Sequence, residues 1–365
     1  MKKSILSVTI FAILIYGFSA LCIFAPKPDY SVSERRALAK LPEFSLSTVL
    51  NGQFMADFEE YATDAVPFRD KLRSVKAFFA TKVLRKADNN GLFTAEGHIS
   101  KIDDRVNYDM LDLSADKLYN IVKTYVKDDS TRLYFTIVPD KNMYIAEKNG
   151  YPSLDYDEFI ESMRQRTDFM EYIDITALLD ADDYYYTDTH WRQENLVPVA
   201  EHIAGKMGAG VSSKYSVNTL DIPFNGVYMG QYALPHAPDT IRYLTNDTIE
   251  NAVVTYYDTG MPKEGDMYNM EKAKGLDPYE MFLSGTMPVV TIDNDDAATD
   301  RELILFRDSF GSSLAPLLLE GYSKITLIDI RYVHSGMLGG FADFRNADVL
   351  FMYSTALLNN STAFK

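Results

Sequence analysis

Two apolar runs joined by a short helix-like segment constrain the fold of this chain more than any other feature. The runs ELILF (302–306) and KITLID (324–329) have the continuous apolar character of buried strands. LAPLLLEGY (314–322) lies between them and has the composition of a crossover helix. A strand, a helix and a second strand in this order predict a parallel sheet with helices on both faces.

The same alternation begins near residue 111. Helix-like and strand-like stretches follow one another along the chain, at 114–128, 132–139, 153–169, 171–176, 194–208 and finally 348–354. Residues 213–300 interrupt this rhythm with turns and aromatic residues, and we interpret them as an irregular insertion or a β-rich excursion over the site. We therefore expect one α/β domain over residues 111–365.

The N-terminus predicts a membrane segment at residues 1–26. Lys2 and Lys3 precede an uncharged stretch from Ile5 to Ala25, which suits a hydrocarbon core of about 30 Å. The two lysines favour the cytoplasmic side, which places the rest of the chain outside the cell membrane. One alternative is a signal peptide that is cleaved before secretion, although residues 18–20 fit a cleavage site poorly. The other is a buried core helix at the N-terminus.

Residues 27–110 read as a linker followed by a helical region. Proline and polar residues dominate the first part of this stretch. Beyond it, apolar residues recur at helical spacing on either side of Pro67: Phe54, Phe58 and Tyr61 before it, and Phe68, Leu72 and Val75 after it. Residues 92–102 predict a short pair of strands.

Composition excludes several classes of function. The formal net charge of −16 argues against a nucleic-acid partner. Cys22 is the sole cysteine and lies in the apolar stretch, so the chain can form no internal disulfide and has no cysteine nucleophile in its folded part. The acidic run 293–300 matches no calcium loop and is interpreted as a solvated turn. We expect neither a metal nor a cofactor.

Ser309 is the first candidate for chemistry. It lies in RDSF, between the strand-like run 302–306 and the following helix, where ligands collect at the carboxyl edge of an open sheet. Gly311 permits a tight turn there. A serine in this position is either a helix N-cap or a nucleophile. Ser312 and Ser313, further along the helix, are expected to be dispensable.

A base for that serine is available in YYYTDTHW. Asp188 and His190 are two residues apart, so the carboxylate can orient the imidazole that takes the proton of a serine hydroxyl. Trp191 follows and is expected to pack on the ring or to form the floor of the site. The alternative is an Asp-capped helix beside a surface histidine. His334, which follows a strand, is a rival base, whereas His98 lies in a turn where a solvated histidine is ordinary.

TDTHW with a later RDSFG resembles the DHHW family and the alginate O-acetylation proteins of the AlgX and AlgJ type. Further stretches share this resemblance: SERRALAKLPEFS, EEYATDAVPFRDKL, YFTIVPDKNMY, DPYEMFLSG and LIDIRY. The resemblance implies an SGNH-hydrolase-like domain with a circularly permuted order of motifs, in which Asp188, His190 and Ser309 form a catalytic triad. Two positions depart from the pattern, since Arg307 replaces a glycine and Thr189 replaces the first histidine.

The oxyanion hole is expected at the amides around Ser309, together with the loops that follow the next two strands. Arg331 and Tyr353 lie in those loops and, with Trp191, are candidates for oxyanion or substrate contacts. Arg331 in DIRY fits equally well as one partner of a structural ion pair.

The resemblance implies a membrane-anchored, extracytoplasmic O-acetyltransferase that acts on a cell-surface or exported polysaccharide. A membrane-bound O-acyltransferase would then supply the acetyl group. Two alternatives stay open at this point. A carbohydrate acetylesterase would use the same three residues with water as acceptor, and a non-catalytic envelope protein would bind glycan without reaction.

Overall fold

The two apolar runs form neighbouring parallel strands in the computed structural model, at Glu302–Arg307 and Lys324–Ile328. The structure describes residues 2–127, 129–211, 214–258 and 261–365. Residue 1 of the predicted anchor, residue 128 of a predicted helix, and residues 213, 259 and 260 of the predicted insertion lie outside the described residues.

The α-helices of the described residues are, in chain order, α1 (Lys2–Phe24), α2 (Leu46–Leu50), α3 (Gln53–Asp64), α4 (Arg69–Phe78), α5 (Tyr108–Tyr125), α6 (Asn142–Ile145), α7 (Tyr156–Arg166), α8 (Val197–Lys206), α9 (Val227–Tyr232), α10 (Asp247–Asn251), α11 (Met270–Ala273), α12 (Phe310–Leu318) and α13 (Thr355–Leu358). A π-helical turn, Phe79–Val83, continues α4.

The strands are β1 (Tyr30–Ser31), β2 (Arg36–Ala37), β3 (Leu92–Ala95), β4 (His98–Lys101), β5 (Arg132–Val138), β6 (Glu171–Tyr172), β7 (Ser216–Phe224), β8 (Asp239–Thr245), β9 (Val253–Tyr256), β10 (Lys263–Gly265), β11 (Val289–Asp293), β12 (Glu302–Arg307), β13 (Lys324–Ile328) and β14 (Ala347–Ser354).

Contacts divide the chain into two compact units. One comprises Met1–Asn90 with Val227–His236, and the other comprises Gly91–Gly226 with Ala237–Lys365. The predicted domain boundary at residue 110 stays a prediction.

The second unit contains an eight-stranded sheet in the order β10-β9-β11-β13-β12-β14-β5-β6. The five strands from β13 to β6 are parallel to one another. At the other end, β11 pairs in antiparallel fashion with β13 and β9, and β9 pairs in antiparallel fashion with β10. This mixed α/β, mostly parallel sheet agrees with the predicted fold class. The three antiparallel strands come from residues 213–300, and they fit the β-rich alternative for this stretch rather than an irregular insertion.

The sheet has a core on each face. Along β12, Leu303 and Leu305 pack into one core, and Ile304 and Phe306 pack into the other, because successive side chains of a strand point to opposite faces. Helices α8 and α12 contribute to the first core, and α5 and α7 contribute to the second. Helices on both faces explain why the central strands read as continuous apolar runs.

The parallel strands bring several chain segments to one edge of the sheet. In the register of the central strands, Arg307 at the end of β12 lies beside Met352, and Val138 at the end of β5 lies beside Ser354. The loops that leave these ends therefore meet at the carboxyl edge, where open α/β sheets bind their ligands.

Within the described residues, the first unit contains the apolar helix α1 and four shorter α-helices, α2, α3, α4 and α9. Ile5–Phe24 of α1 has a mean hydropathy of 2.3 and is long and apolar enough to cross a membrane. Helix α3 ends before Pro67 and helix α4 begins after it, as the helical spacing predicts. Asp64 at the end of α3 accepts hydrogen bonds from Arg36, at 2.7 and 2.8 Å, and these bonds lower the pKa of its carboxyl group to about 2.

Candidate active site

Ser309, His190 and Asp188 form a continuous hydrogen-bonded series. Ser309 Oγ lies 2.7 Å from His190 Nε2, and Asp188 Oδ1 lies 2.6 Å from His190 Nδ1. Asp188 is completely buried, whereas a small part of the His190 side chain is exposed. With the carboxylate accepting from Nδ1–H, the unprotonated Nε2 faces the serine hydroxyl, which is the arrangement that activates a serine for attack.

The structure distinguishes the two roles that the sequence allowed for Ser309. The Ser309 side chain makes no capping hydrogen bond to α12. Asp308 has that role instead, because its Oδ1 accepts a bond of 3.0 Å from the amide of Phe310. Its Oδ2 accepts a second bond, of 2.9 Å, from the amide of Ser354 at the end of β14. The hydroxyl of Ser309 is therefore free to bond with His190.

Gly311 brings the start of α12 close to the strand before it. A Cβ at this position would lie 2.6 Å from Cβ of Arg307 and 3.1 Å from Cε of Met352. The φ angle of Gly311 is not positive, so the backbone conformation does not require glycine. The close packing does. Arg307 itself is buried, with Nη1 at 3.7 Å from Oδ2 of Asp329.

Asp188 and His190 lie in a tight loop between Tyr184 and Trp191, which are paired as an isolated bridge. The amide of Tyr185 donates to the carbonyl of His190, at 3.0 Å. Asp188 Oδ1 also accepts from the amide of His190, at 3.1 Å. The carboxylate thus orients both the backbone and the ring of His190.

Lys141 holds this loop from inside the molecule. It follows β5 and is buried, and its Nζ donates to the carbonyl oxygens of Asp188 (2.7 Å), Tyr185 (2.8 Å) and Tyr186 (3.3 Å). Burial lowers the pKa of this ammonium group from its ordinary value to about 7. Sequence reasoning missed Lys141, although a lysine directly after a buried strand was a usable signal.

Asp239 at the start of β8 binds the same loop. Its carboxylate accepts bonds from the amides of Tyr186 and Thr187, both at 2.8 Å, and from the Thr187 hydroxyl, at 2.6 Å. The Thr187 oxygen in turn accepts from the amide of Gly226. A lysine and an aspartate, both distant in sequence, therefore position the loop that carries the imidazole.

Tyr279 is a second residue that sequence reasoning missed. Its ring stacks on the His190 ring, with centroids 3.9 Å apart and planes 12° apart. Its hydroxyl lies 2.8 Å from Oγ of Ser313, and burial raises the pKa of this phenol. Trp191 is completely buried and donates from Nε1 to the same Oγ, at 2.8 Å. Trp191 is thus part of the floor, and Ser313, which we expected to be dispensable, joins it to Tyr279.

Arg331 and Tyr353 make contacts other than those of the hydrogen-bonded series. Arg331 donates from Nε and Nη2 to both oxygens of Asp329, at 2.9 and 2.6 Å, which is the geometry of a structural ion pair. Tyr353 is buried, and its ring packs against Phe364. Within the described residues, neither side chain bonds to Ser309 or His190. Their roles as oxyanion or substrate residues stay predictions.

His334, the rival base, has a local role. Its Nδ1 accepts a bond of 3.1 Å from the amide of Gly336, so it caps the short helical segment Ser335–Gly340. Among the described residues, His190 is the histidine that bonds to Ser309.

Comparison with family models and with curated proteins gives no match. Solved structures do match. A DHHW family protein from Eubacterium siraeum aligns with a TM-score of 0.59 and 21% identity, over 76% of this chain and 94% of that chain. Bacillus cereus PatB1 aligns with a TM-score of 0.56 and 17% identity, over 74% and 97% of the two chains. The O-acetyltransferase domain of Pseudomonas putida AlgJ aligns at 0.44 and 12%, over 74% and 92%.

These likenesses concern the fold. The chain has the fold of a DHHW family protein, so the resemblance predicted from TDTHW and RDSFG is confirmed at that level. The identities are too low to transfer activity or substrate, which have to be argued from the site.

Proposed function

We propose that this chain is a membrane-anchored, extracytoplasmic O-acetyltransferase acting on a cell-surface or exported polysaccharide. The observation that carries this proposal is the hydrogen-bonded series Asp188–His190–Ser309, with a serine that does not cap its helix. We further propose that the second unit is an SGNH-hydrolase-like domain in permuted order, because the Asp-x-His segment precedes the serine in the chain.

In the first half-reaction, Ser309 Oγ attacks the carbonyl carbon of an acetyl donor while His190 Nε2 takes the hydroxyl proton. The buried carboxylate of Asp188 stabilises the imidazolium that forms. His190 then returns the proton to the leaving group as the tetrahedral intermediate collapses, which leaves an acetyl ester on Ser309. In the second half-reaction a sugar hydroxyl attacks this ester, with His190 again as base, and Ser309 recovers its proton.

The oxyanion that develops on the acetyl carbonyl needs N–H donors that do not already donate a hydrogen bond within the protein. The amides of Phe310 and Gly311 donate to Oδ1 and to the backbone oxygen of Asp308. We therefore assign the oxyanion to the amide of Ser309 itself, together with a donor supplied by a neighbouring loop.

The proposed location rests on the anchor, and the proposed acetyl donor rests on the resemblance to the O-acetylation proteins. We propose that α1 stays uncleaved and spans the cell membrane, with Lys2 and Lys3 on the cytoplasmic side. A membrane-bound O-acyltransferase in the same membrane would then present the acetyl group. Carbonate washing of membranes tests the anchor, because a retained full-length chain supports it and a released, shortened chain argues for cleavage.

The activity is tested with the full chain in detergent and a chromogenic acetyl ester, with and without oligosaccharide acceptors. Acetylated sugar identifies a transferase, acetate released equally in both cases identifies an esterase, and no turnover favours a glycan-binding protein. A sulfonyl fluoride offers an independent test, since a sulfonyl adduct is known for Bacillus cereus PatB1. Mass spectrometry should locate the label on Ser309 in this chain, and a label elsewhere would contradict the assignment.

A further inference from the structure

Helix α4 and its π-helical continuation expose an apolar stripe, which we define as Phe68, Leu72, Val75, Phe79 and Val83. Each of these side chains is between 45% and 64% exposed. Helices of globular proteins ordinarily turn their apolar face to the core and their charges to water. This helix does the reverse.

The face of α4 opposite the apolar stripe is polar or small, and it is the face that packs. Arg69 and Arg73 pair with Glu34 at 2.5 and 3.1 Å, and all three are largely buried. Arg73 also donates to the carbonyl of Gly230, at 3.0 Å. Further along the helix, Ala77 and Ala80 are buried. The orientation of α4 is therefore set by ion pairs and small side chains, and these contacts leave the apolar stripe outside.

Positive charge surrounds the apolar stripe. Residues 68–86 contain seven basic residues and a single acidic one, Asp70, in a chain whose net charge is −16. Two of the seven, Arg69 and Arg73, are the arginines that pair with Glu34 on the face opposite the apolar stripe. The other five are exposed beside the stripe: Lys71, Lys76, Lys82, Arg85 and Lys86. A second copy of this chain is a poor occupant, because two such faces would bring like charges together.

An exposed apolar face with flanking lysines and aromatic residues is the composition of a helix that lies in a lipid interface. The apolar side chains enter the boundary between headgroups and acyl chains, and the cations attract anionic headgroups. The apolar stripe also follows α1 in the chain. An anchored α1 would keep this helix close to lipid, so that modest affinity is sufficient for binding.

We propose that the apolar stripe docks on the anionic lipid surface of the membrane that anchors the chain. Phe68 begins the stripe in a left-handed conformation, with φ of 60°, which a bulky residue rarely adopts. This conformation turns the chain from Pro67 into α4 at the point where the exposed face starts. The docking is independent of the catalytic residues, so its test does not depend on acetyl transfer.

The test uses the full chain reconstituted into phosphatidylcholine vesicles, with and without phosphatidylglycerol. In a Cys22→Ser background, Leu72→Cys or Phe79→Cys carries a polarity-sensitive fluorophore, and lipids with brominated acyl chains act as quenchers. The matched control is Tyr119→Cys on α5, which is similarly exposed at 49%. We expect a blue shift and quenching at positions 72 and 79 that increase with phosphatidylglycerol, and neither change at position 119.

Charge reversal provides the second arm. Lys71→Glu with Lys76→Glu and Lys82→Glu should remove the dependence on phosphatidylglycerol, while circular dichroism stays unchanged because these side chains are exposed. Labels at 72 and 79 that remain in water would overturn the proposal. A blue shift without quenching would also overturn it, since protein rather than lipid would then cover the stripe. Equal quenching at position 119 would overturn it as well, because the approach to lipid would not be specific to this face.

Discussion

The hydroxyl of Ser309 has no structural duty at the start of α12, since Asp308 caps that helix. We therefore expect Ser309→Ala to lower acetyl transfer by several powers of ten, because the acyl-enzyme cannot form. The free energy of unfolding should fall by only about 1 kcal/mol, the usual contribution of one hydrogen bond. Initial rates and thermal melting measure the two effects. Ser312→Ala is the matched control and should keep full activity; wild-type rates in Ser309→Ala would mean that another residue is the nucleophile.

Tyr279 separates the effect of a ring from the effect of a hydroxyl. Tyr279→Phe keeps the ring that stacks on His190 and loses only the bond to Ser313, so kcat should stay within a few-fold of wild type. Tyr279→Ala removes the stacked ring. We expect kcat to fall roughly tenfold to a hundredfold, because the imidazole of His190 is then less well positioned. Equal effects of the two substitutions would show that stacking does not position the imidazole.

Sequence reasoning identified the three residues that the structure joins by hydrogen bonds. The sequence shows directly that a serine lies between a strand and a helix, and that an aspartate lies two residues before a histidine. The sequence did not show that Asp308 caps the helix, because Asp308 and Ser309 are adjacent and both residue types cap helices. Tyr279 was not found either, since its ring reaches His190 only after the fold brings distant segments together.

At the scale of elements, the loop from Tyr184 to Trp191 depends on a lysine from another element. Lys141→Met should leave three carbonyl oxygens without their ammonium donor, at a cost of about 1–3 kcal/mol or more in the free energy of unfolding. The activity should fall by a larger factor than stability alone explains, because the loop carries Asp188 and His190. Chemical denaturation and initial rates measure both quantities.

The control for this prediction is Lys101→Met at the end of β4, where the lysine is exposed. This substitution should change neither the free energy of unfolding nor the activity by much. If Lys141→Met kept wild-type kcat at a temperature where it is folded, the lysine would stabilise the unit without positioning the imidazole.

Elements with long apolar runs could be predicted from sequence, and short strands at the end of the sheet could not. Strands β12, β13 and β14 are buried on both faces and read as continuous hydrophobic segments. Strands β9 and β10 are short and partly exposed, so their side chains give no strong pattern, and they are held by pairing with β11. Pairing of this kind depends on tertiary contacts rather than on local preference.

At the scale of the whole molecule, the sequence predicted a membrane segment and an α/β fold, and the structure contains an apolar helix and an eight-stranded sheet. Burial of polar residues was harder to foresee. His98 lies in a turn-like stretch that favours a solvated side chain, yet its side chain is buried in β4. Its ring stacks on Tyr186, with centroids 4.3 Å apart.

Acid stability should depend on this histidine. Burial, followed by the nearby Lys141 ammonium, lowers the pKa of His98 from 6.5 to about 4. Well above pH 6.5 the imidazole is neutral in the folded and unfolded chain, so its titration does not change the free energy of unfolding there. Between pH 6.5 and 4 the unfolded chain takes up a proton that the folded chain does not, and the free energy of unfolding falls as the pH falls.

We expect this loss to be on the order of 2 kcal/mol by pH 4, less than the full shift implies because the folded imidazole is itself about half protonated at that pH. Denaturant unfolding of wild type and His98→Gln at several pH values measures the difference in slope. Glutamine does not titrate, so the variant should lose less stability over this range even if it is less stable at neutral pH. Parallel curves for the two proteins would show that His98 is protonated in the folded chain, and that the stacked ring has enough access to water to carry the charge.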